Sequence, residues 1–109
     1  MTIPSLTVDD LTRLIASGVR QTLVDVRKTP AFKDAPVLIP GAVKRDHADV
    51  AGWAATLPAD VPIIVNCVHG HEVSQNVASA LRACGFDARF LEGGIDAWIR
   101  AGGRTVDVQ

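Results

Sequence analysis

Short apolar runs alternate along this chain with stretches in which apolar residues recur every third or fourth position. Runs of the first kind predict buried strands, and spacing of the second kind predicts helices that cover them. Thr7 followed by Asp10 marks a helix start, with Leu11, Leu14 and Ile15 as its apolar face and Ser17-Gly18 as its stop. Gln21 to Asp25 reads as a strand. From Arg27 to Pro40 three prolines break the pattern, and Ala31, Phe32 and Lys33 make at most one helical turn in an arm over the sheet. Ala42 to Lys44 reads as a short strand. Asp46 is placed to cap a helix through Val50 and Trp53 to Leu57, and Pro58 stops it. A third strand runs from Pro62 to Cys67. Val77, Ala80, Leu81 and Cys84 then recur at helical spacing, with Gly85 as the cap. Ala88 to Leu91 is the next strand, Gly93-Gly94 a turn, and Ile95 to Ala101 a short helix with Trp98 inward. Strands alternating with helices imply an α/β fold with a parallel sheet covered on both faces.

The totals narrow the functional classes. At 109 residues the chain is expected to be one domain, residues 1–109, with one core. A formal charge of -1 and scattered aromatics offer neither the basic face nor the stacking platform of a nucleic-acid binder. Met1 to Thr7 lacks the charge and apolar run of a leader, and no segment is long and apolar enough for a membrane, so a cytoplasmic location is expected. Cys67 and Cys84 could form only one disulfide, and the stripe containing Cys84 assigns it to the core.

Cys67 carries the candidate chemistry. It ends an apolar, β-branched run, and the helical pattern starts seven residues later. A strand that empties into a tight loop and a helix start aims backbone N–H groups and the positive helix end at the sulfur, which favours thiolate, the nucleophilic form. Open α/β sheets place their sites at that end of the strands. The loop comprises Val68, His69, Gly70, His71, Glu72, Val73 and Ser74. Cys67, His69 and His71 include metal-ligand types, but three ligands within five residues do not match a separated-pair metal site, so no metal is expected. The histidines are instead expected to hold the loop through Glu72.

Four segments in order, Leu23-Val24-Asp25-Val26-Arg27, Ile39-Pro40-Gly41-Ala42, the Cys67 loop, and Leu91-Glu92-Gly93-Gly94 with Trp98, resemble the rhodanese-type sulfurtransferase domain. The resemblance implies a three-layer α/β/α sandwich around a five-stranded, mostly parallel sheet. It also implies a cysteine that takes a sulfane sulfur as a persulfide and passes it on, without metal or organic cofactor. Small sulfane-sulfur donors and a thiol, cyanide-like or protein acceptor are the implied partners. Asp25 and Arg27 resemble the family's Asp-x-Arg pair, the carboxylate orienting backbone and the arginine bracing the fold.

Two departures from the family pattern affect the chemistry. The register of Val77, Ala80 and Leu81 suggests a loop one residue longer, as in phosphatases and arsenate reductases of this fold. Those enzymes close the ring with an arginine where this chain has Val73, and Glu72 would repel a dianion by on the order of 1–4 kcal/mol at short range. The loop itself also carries no arginine or lysine; Lys44 and Arg45 are candidates to supply charge at its rim. Three functions remain open: a sulfurtransferase, an oxyanion enzyme, and a sulfur-carrying or partner-binding module without turnover.

Overall fold

Hydrophobic residues at alternate positions on two neighbouring strands build two cores, one on each side of a single sheet. The computed structural model describes residues 3–108. In chain order the elements are β1 (Ser5–Leu6), α1 (Val8–Ala16), β2 (Thr22–Asp25), α2 (Thr29–Asp34), β3 (Val37–Leu38), β4 (Val43–Lys44), α3 (Val50–Ala54), β5 (Ile63–Asn66), α4 (Glu72–Ala83), β6 (Ala88–Leu91), α5 (Gly94–Arg100) and β7 (Val106–Asp107). Five strands form one sheet in the order β1-β6-β5-β2-β4, and every pairing in it is parallel.

Every residue of β5 is buried, as a central strand flanked by helices on both faces requires. Side chains alternate between the faces. Val24, Val26, Ile63, Val65 and Cys67 join Trp53 of α3 and Val77, Ala78 and Leu81 of α4 on one side. Leu23 and Ile64 join Leu11 of α1 and Ile95 and Trp98 of α5 on the other. The expected α/β/α sandwich is therefore present.

Helix α1 starts with the expected capping box: the Thr7 side chain accepts from Asp10 N, and the Asp10 carboxylate accepts from Thr7 N. The Thr7 backbone N–H, and after it the Thr7 hydroxyl, hold the Asp10 carboxyl below the ordinary value. That stabilisation is present above the unfolded value and fades as pH falls through the folded one.

Several expectations need correction. Strands β1, β3 and β7, each two residues long, carry too little pattern to be read from sequence. Asp46 does not cap α3. Its carboxylate accepts from Ala48 N in a local turn, and Asp49, with no side-chain bond, holds the cap position. Ile15 is exposed. Cys84 is also exposed, because the buried stripe of α4 is Ser74-Val77-Ala78-Leu81 and Cys84 is the C-cap beyond it. There the chain turns away in a Schellman arrangement, Phe86 N donating to Leu81 O and Gly85 N to Arg82 O.

The ends of β2 and β5 are tied by polar contacts. Asp25 is fully buried and Arg27 nearly so. Arg27 Nε donates to both Asp25 carboxylate oxygens at 3.1 and 3.0 Å, and its backbone N–H donates to Oδ1. The remaining guanidinium nitrogens donate to Ala35 O at 2.9 Å and Val37 O at 2.6 Å, fastening the arm that carries α2. Asn66, register partner of Asp25, donates from Nδ2 to Asp25 Oδ2 at 3.1 Å. Removing one partner of such a buried pair leaves the other uncompensated, at a cost of about 3–5 kcal/mol. Arg27→Met is therefore expected to lower unfolding free energy in urea by about that amount, and Asp25→Asn added to it should recover part of the loss. A loss below about 1 kcal/mol for the single variant would show the pair is not a tie.

Candidate active site

Cys67 follows the last residue of β5 and keeps its alternation, so the sulfur is directed to the α4 side, 6% exposed and in the core cluster with Val65 and Val77. The thiol donates to Ser74 Oγ at 3.1 Å. Ser74 is fully buried on the first turns of α4. On ionisation of the thiol, the hydroxyl can turn and donate to the sulfur, a charge-assisted bond.

The loop between β5 and α4 is held from behind. Cys67 O accepts from Ile95 N at 2.9 Å and Val68 O from Asp96 N at 3.1 Å, two of the otherwise unpaired amides that open α5. Gly70 O accepts from Gln75 Nε2 and His71 O from Gln75 N. Among the described residues, no protein acceptor takes the N–H groups of Val68 through Ser74. They are the loop's available donors, and a row of such groups suits an anion.

Two glycines permit this packing. Gly70 has φ +72, and a Cβ there would lie 2.5 Å from Leu91 O and 2.8 Å from Gly93 N. Gly94 has φ +62, and a Cβ there would run into the carbonyls of Cys67 and Val68. The loop and the Gly93-Gly94 turn thus meet backbone to backbone, which any side chain would prevent.

Helix α4 begins at Glu72, five residues after Cys67 and two earlier than the apolar pattern implies. An acidic residue suits a helix's first turn, while the buried Ser74 disguises the start of the stripe. Ala80 is exposed, so the register shift that suggested a longer loop loses its basis. Val73 lies in the first turn, half-buried against the core.

A cleft of about 250 Å³ opens over the cysteine, lined by Cys67, Val68, His69, His71, Glu72 and Val73 together with Arg27, Lys28 and Ala31. Gly70 packs instead on the Leu91 and Gly93 backbone, Ser74 meets the Cys67 sulfur from α4, and Asp25 lies in the core, linked to the site through Arg27 and Asn66. Arg45 is not among the groups lining the cleft. With Lys44 it lines a neighbouring cleft of about 420 Å³, which shares Arg27 and Lys28 with the first. Lys44 is half-buried; burial chiefly, with Arg27 opposing Asp25, holds its ammonium below the ordinary lysine value.

The expected tie between the histidines and Glu72 is not formed. His69 Nδ1 lies 3.7 Å from Asp96 Oδ2, which also pairs with Arg100 Nε at 3.1 Å, so α5 rather than α4 supplies the histidine's partner. The rings of His69 and His71 lie 6.0 Å apart. Three contributors were missed from sequence: Asn66, the hydroxyl of Ser74, and Lys28. The run Asp25-Val26-Arg27-Lys28 carried the last as a signal, since a residue beside a buried Arg27 at a strand end has to emerge near the site.

The family of rhodanese-like domains matches residues 7–101. Over 77 residues, 70% of this chain and 68% of the relative, the sequence is 36% identical to thiosulfate sulfurtransferase GlpE of Pseudomonas fluorescens. The protein of the same name from Shewanella oneidensis is 33% identical over 97 residues, 88% of this chain and 92% of the relative. A rhodanese-related protein of Thermoplasma volcanium has a similar crystal structure, with a TM-score of 0.80 and 26% identity over 94% of this chain and 97% of that one. The chain belongs to the rhodanese-like family.

Two expectations follow for the thiols. Ser74→Ala is expected to slow iodoacetamide alkylation of Cys67 at neutral pH about tenfold, the worth of one hydrogen bond to a charged group at its lower limit; an unchanged rate would remove Ser74 from the site. Cys84, being exposed, should react with a bulky maleimide in the folded protein while Cys67 reacts more slowly, which peptide mapping after a short exposure distinguishes.

Proposed function

We propose that this protein is a sulfurtransferase that carries sulfane sulfur on Cys67. The carrying observation is that, among the described residues, no protein acceptor takes the N–H groups from Val68 to Ser74 in the loop that follows Cys67, while the neighbouring carbonyls are tied off to α5 and Gln75. Such a cradle stabilises a thiolate and equally the persulfide anion it becomes. The names of the relatives support thiosulfate as a donor.

In this mechanism the Cys67 thiolate attacks the outer sulfur of thiosulfate. The S–S bond of the donor breaks, sulfite leaves with the bonding pair, and a Cys67 persulfide anion remains. An acceptor, whether a thiolate or cyanide, then attacks the terminal sulfur, and the Cys67 thiolate leaves with the electron pair of the broken bond. Charge balances in both steps, and the shared covalent intermediate gives ping-pong kinetics. Asp25, Arg27 and Asn66 fix the strand ends that present the loop; Arg45, in the adjacent cleft, contributes charge at longer range. No step calls on a metal or organic cofactor. Both cysteines are free thiols, which suits a reducing cytoplasm. Val73 presents an apolar wall where tetrahedral oxyanion chemistry would require a guanidinium, so a phosphatase is the poorer fit.

The test is intact-mass measurement after incubation with thiosulfate and removal of excess donor. One added sulfur atom is expected, removable by cyanide or dithiothreitol, absent in Cys67→Ser and retained in Cys84→Ser. A Cys67→Ser protein that still transfers sulfur would refute the assignment. Persulfide formation without turnover on any small acceptor would identify a sulfur-carrying module instead.

A further inference from the structure

The Cys67 cleft has two cationic side chains in its walls, one buried and bonded through all three of its guanidinium nitrogens, the other exposed. Arg27 spends its guanidinium on Asp25, Ala35 O and Val37 O. Lys28 is exposed and, among the described residues, has no ion-pair partner. It lines the Cys67 cleft, the Lys44 and Arg45 cleft, and a third one bounded by His47, Val50 and Glu72, so it stands where the three meet.

Its backbone is fixed. Lys28 follows the buried Arg27 directly, and as the N-cap of α2 its carbonyl accepts from Phe32 N at 3.0 Å. The other candidates are committed elsewhere. Lys44 lies over the Phe32 ring with Nζ 5.7 Å from its centroid and donates to Arg45 O, and Arg45 donates to Lys44 O. His69 turns to Asp96. Glu72 lines the same cleft as Lys28, and its carboxylate opposes a dianion entering there.

We infer that Lys28 is the specificity-determining cation of this site, holding the sulfonate end of an anionic sulfane-sulfur donor while its outer sulfur meets Cys67. The inference rests on the sulfurtransferase reading. Lys28 does the work that a basic residue within the loop would otherwise do, from the adjoining strand end. The sulfonate is anionic before and after sulfur leaves it, so the contact acts on binding more than on the chemical step. Lys28 is a binding residue and takes no proton.

The experiment uses the Cys84→Ser protein with two readouts. In steady-state transfer from thiosulfate to cyanide, Lys28→Ala is expected to raise KM about threefold to tenfold with kcat changed less than about twofold, and Lys28→Arg to restore most of the affinity. Lys33→Ala, an exposed change on α2 with the same loss of charge, should leave KM as it was. The wild-type KM should climb with added sodium chloride and that of Lys28→Ala should climb less, since screening acts on the contact that the variant lacks. The second readout needs no turnover: sulfite should protect Cys67 from iodoacetamide, and Lys28→Ala should raise the half-protecting concentration by the same factor as KM. Equal protection in wild type and Lys28→Ala, or none in either, overturns the inference. Wild-type protein that is protected through Lys28 but never transfers sulfur from thiosulfate would overturn the functional reading and leave the cation site standing.

Discussion

Two hydrogen bonds hold the rest of the site in place: Ile95 N to Cys67 O, and Asp96 N to Val68 O. A backbone segment whose carbonyls are taken up by a helix start keeps its own amides for another partner, and among the described residues no protein acceptor takes those of Val68 to Ser74. The donors and acceptors balance because each end supplies what the other lacks. Helix α5 opens with amides that have no partner inside the helix, and the loop offers carbonyls with no strand to pair with. Gly94 is the geometric condition, since any Cβ at that position would separate the two backbones. A loop with its amides left over is thus made by satisfying the opposite half of its polar groups elsewhere, with no lysine or arginine inside the loop itself.

The buried Asp25–Arg27–Asn66 network works one layer below. It joins the ends of the two central strands to each other and, through Ala35 O and Val37 O, to the arm that carries α2. Arg27 also lies beneath the Phe32 ring, 4.8 Å from its centroid, so the arm is gripped by its side chain as well as by its backbone. A guanidinium suits this position because its planar fork can meet a carboxylate and two carbonyls at once, where an ammonium would meet them as a single point. The charge that faces solvent is then left to Lys28.

The helix and strand alternation was legible because both cores are built from long, repetitive patterns. Ile63 to Val65 and the capping box at Thr7 declare their elements locally. Strands β1, β3 and β7 exist only through partners far along the chain, and two residues carry no period of their own. The same division runs through the site. Cys67 and its glycine-containing loop were visible from strand, turn and helix signals. The start of α4 was misplaced because a polar Ser74 fills a core position to meet the sulfur, so the residue that serves the site concealed the helix register. Cys84 was assigned to the core because an apolar residue type at helical spacing looks alike on the stripe and just past its end. The His69 partner, Asp96, sits on an element that only the folded sheet brings near.

The sheet order has a consequence for how the protein is made. Strand β1 pairs with β6, Ser5 opposite Phe90, so of the strands in this sheet the first to be synthesised waits at the edge for the last. Helix α1 can close its own capping box meanwhile, but its docking partners Ile95 and Trp98 arrive later still. The loop's shape likewise depends on amides from residues 95 and 96, well after Cys67 has emerged. A nascent or truncated chain therefore displays its thiol before α5 can tie down the loop that follows it, and the loop takes its shape only when the domain is all but complete.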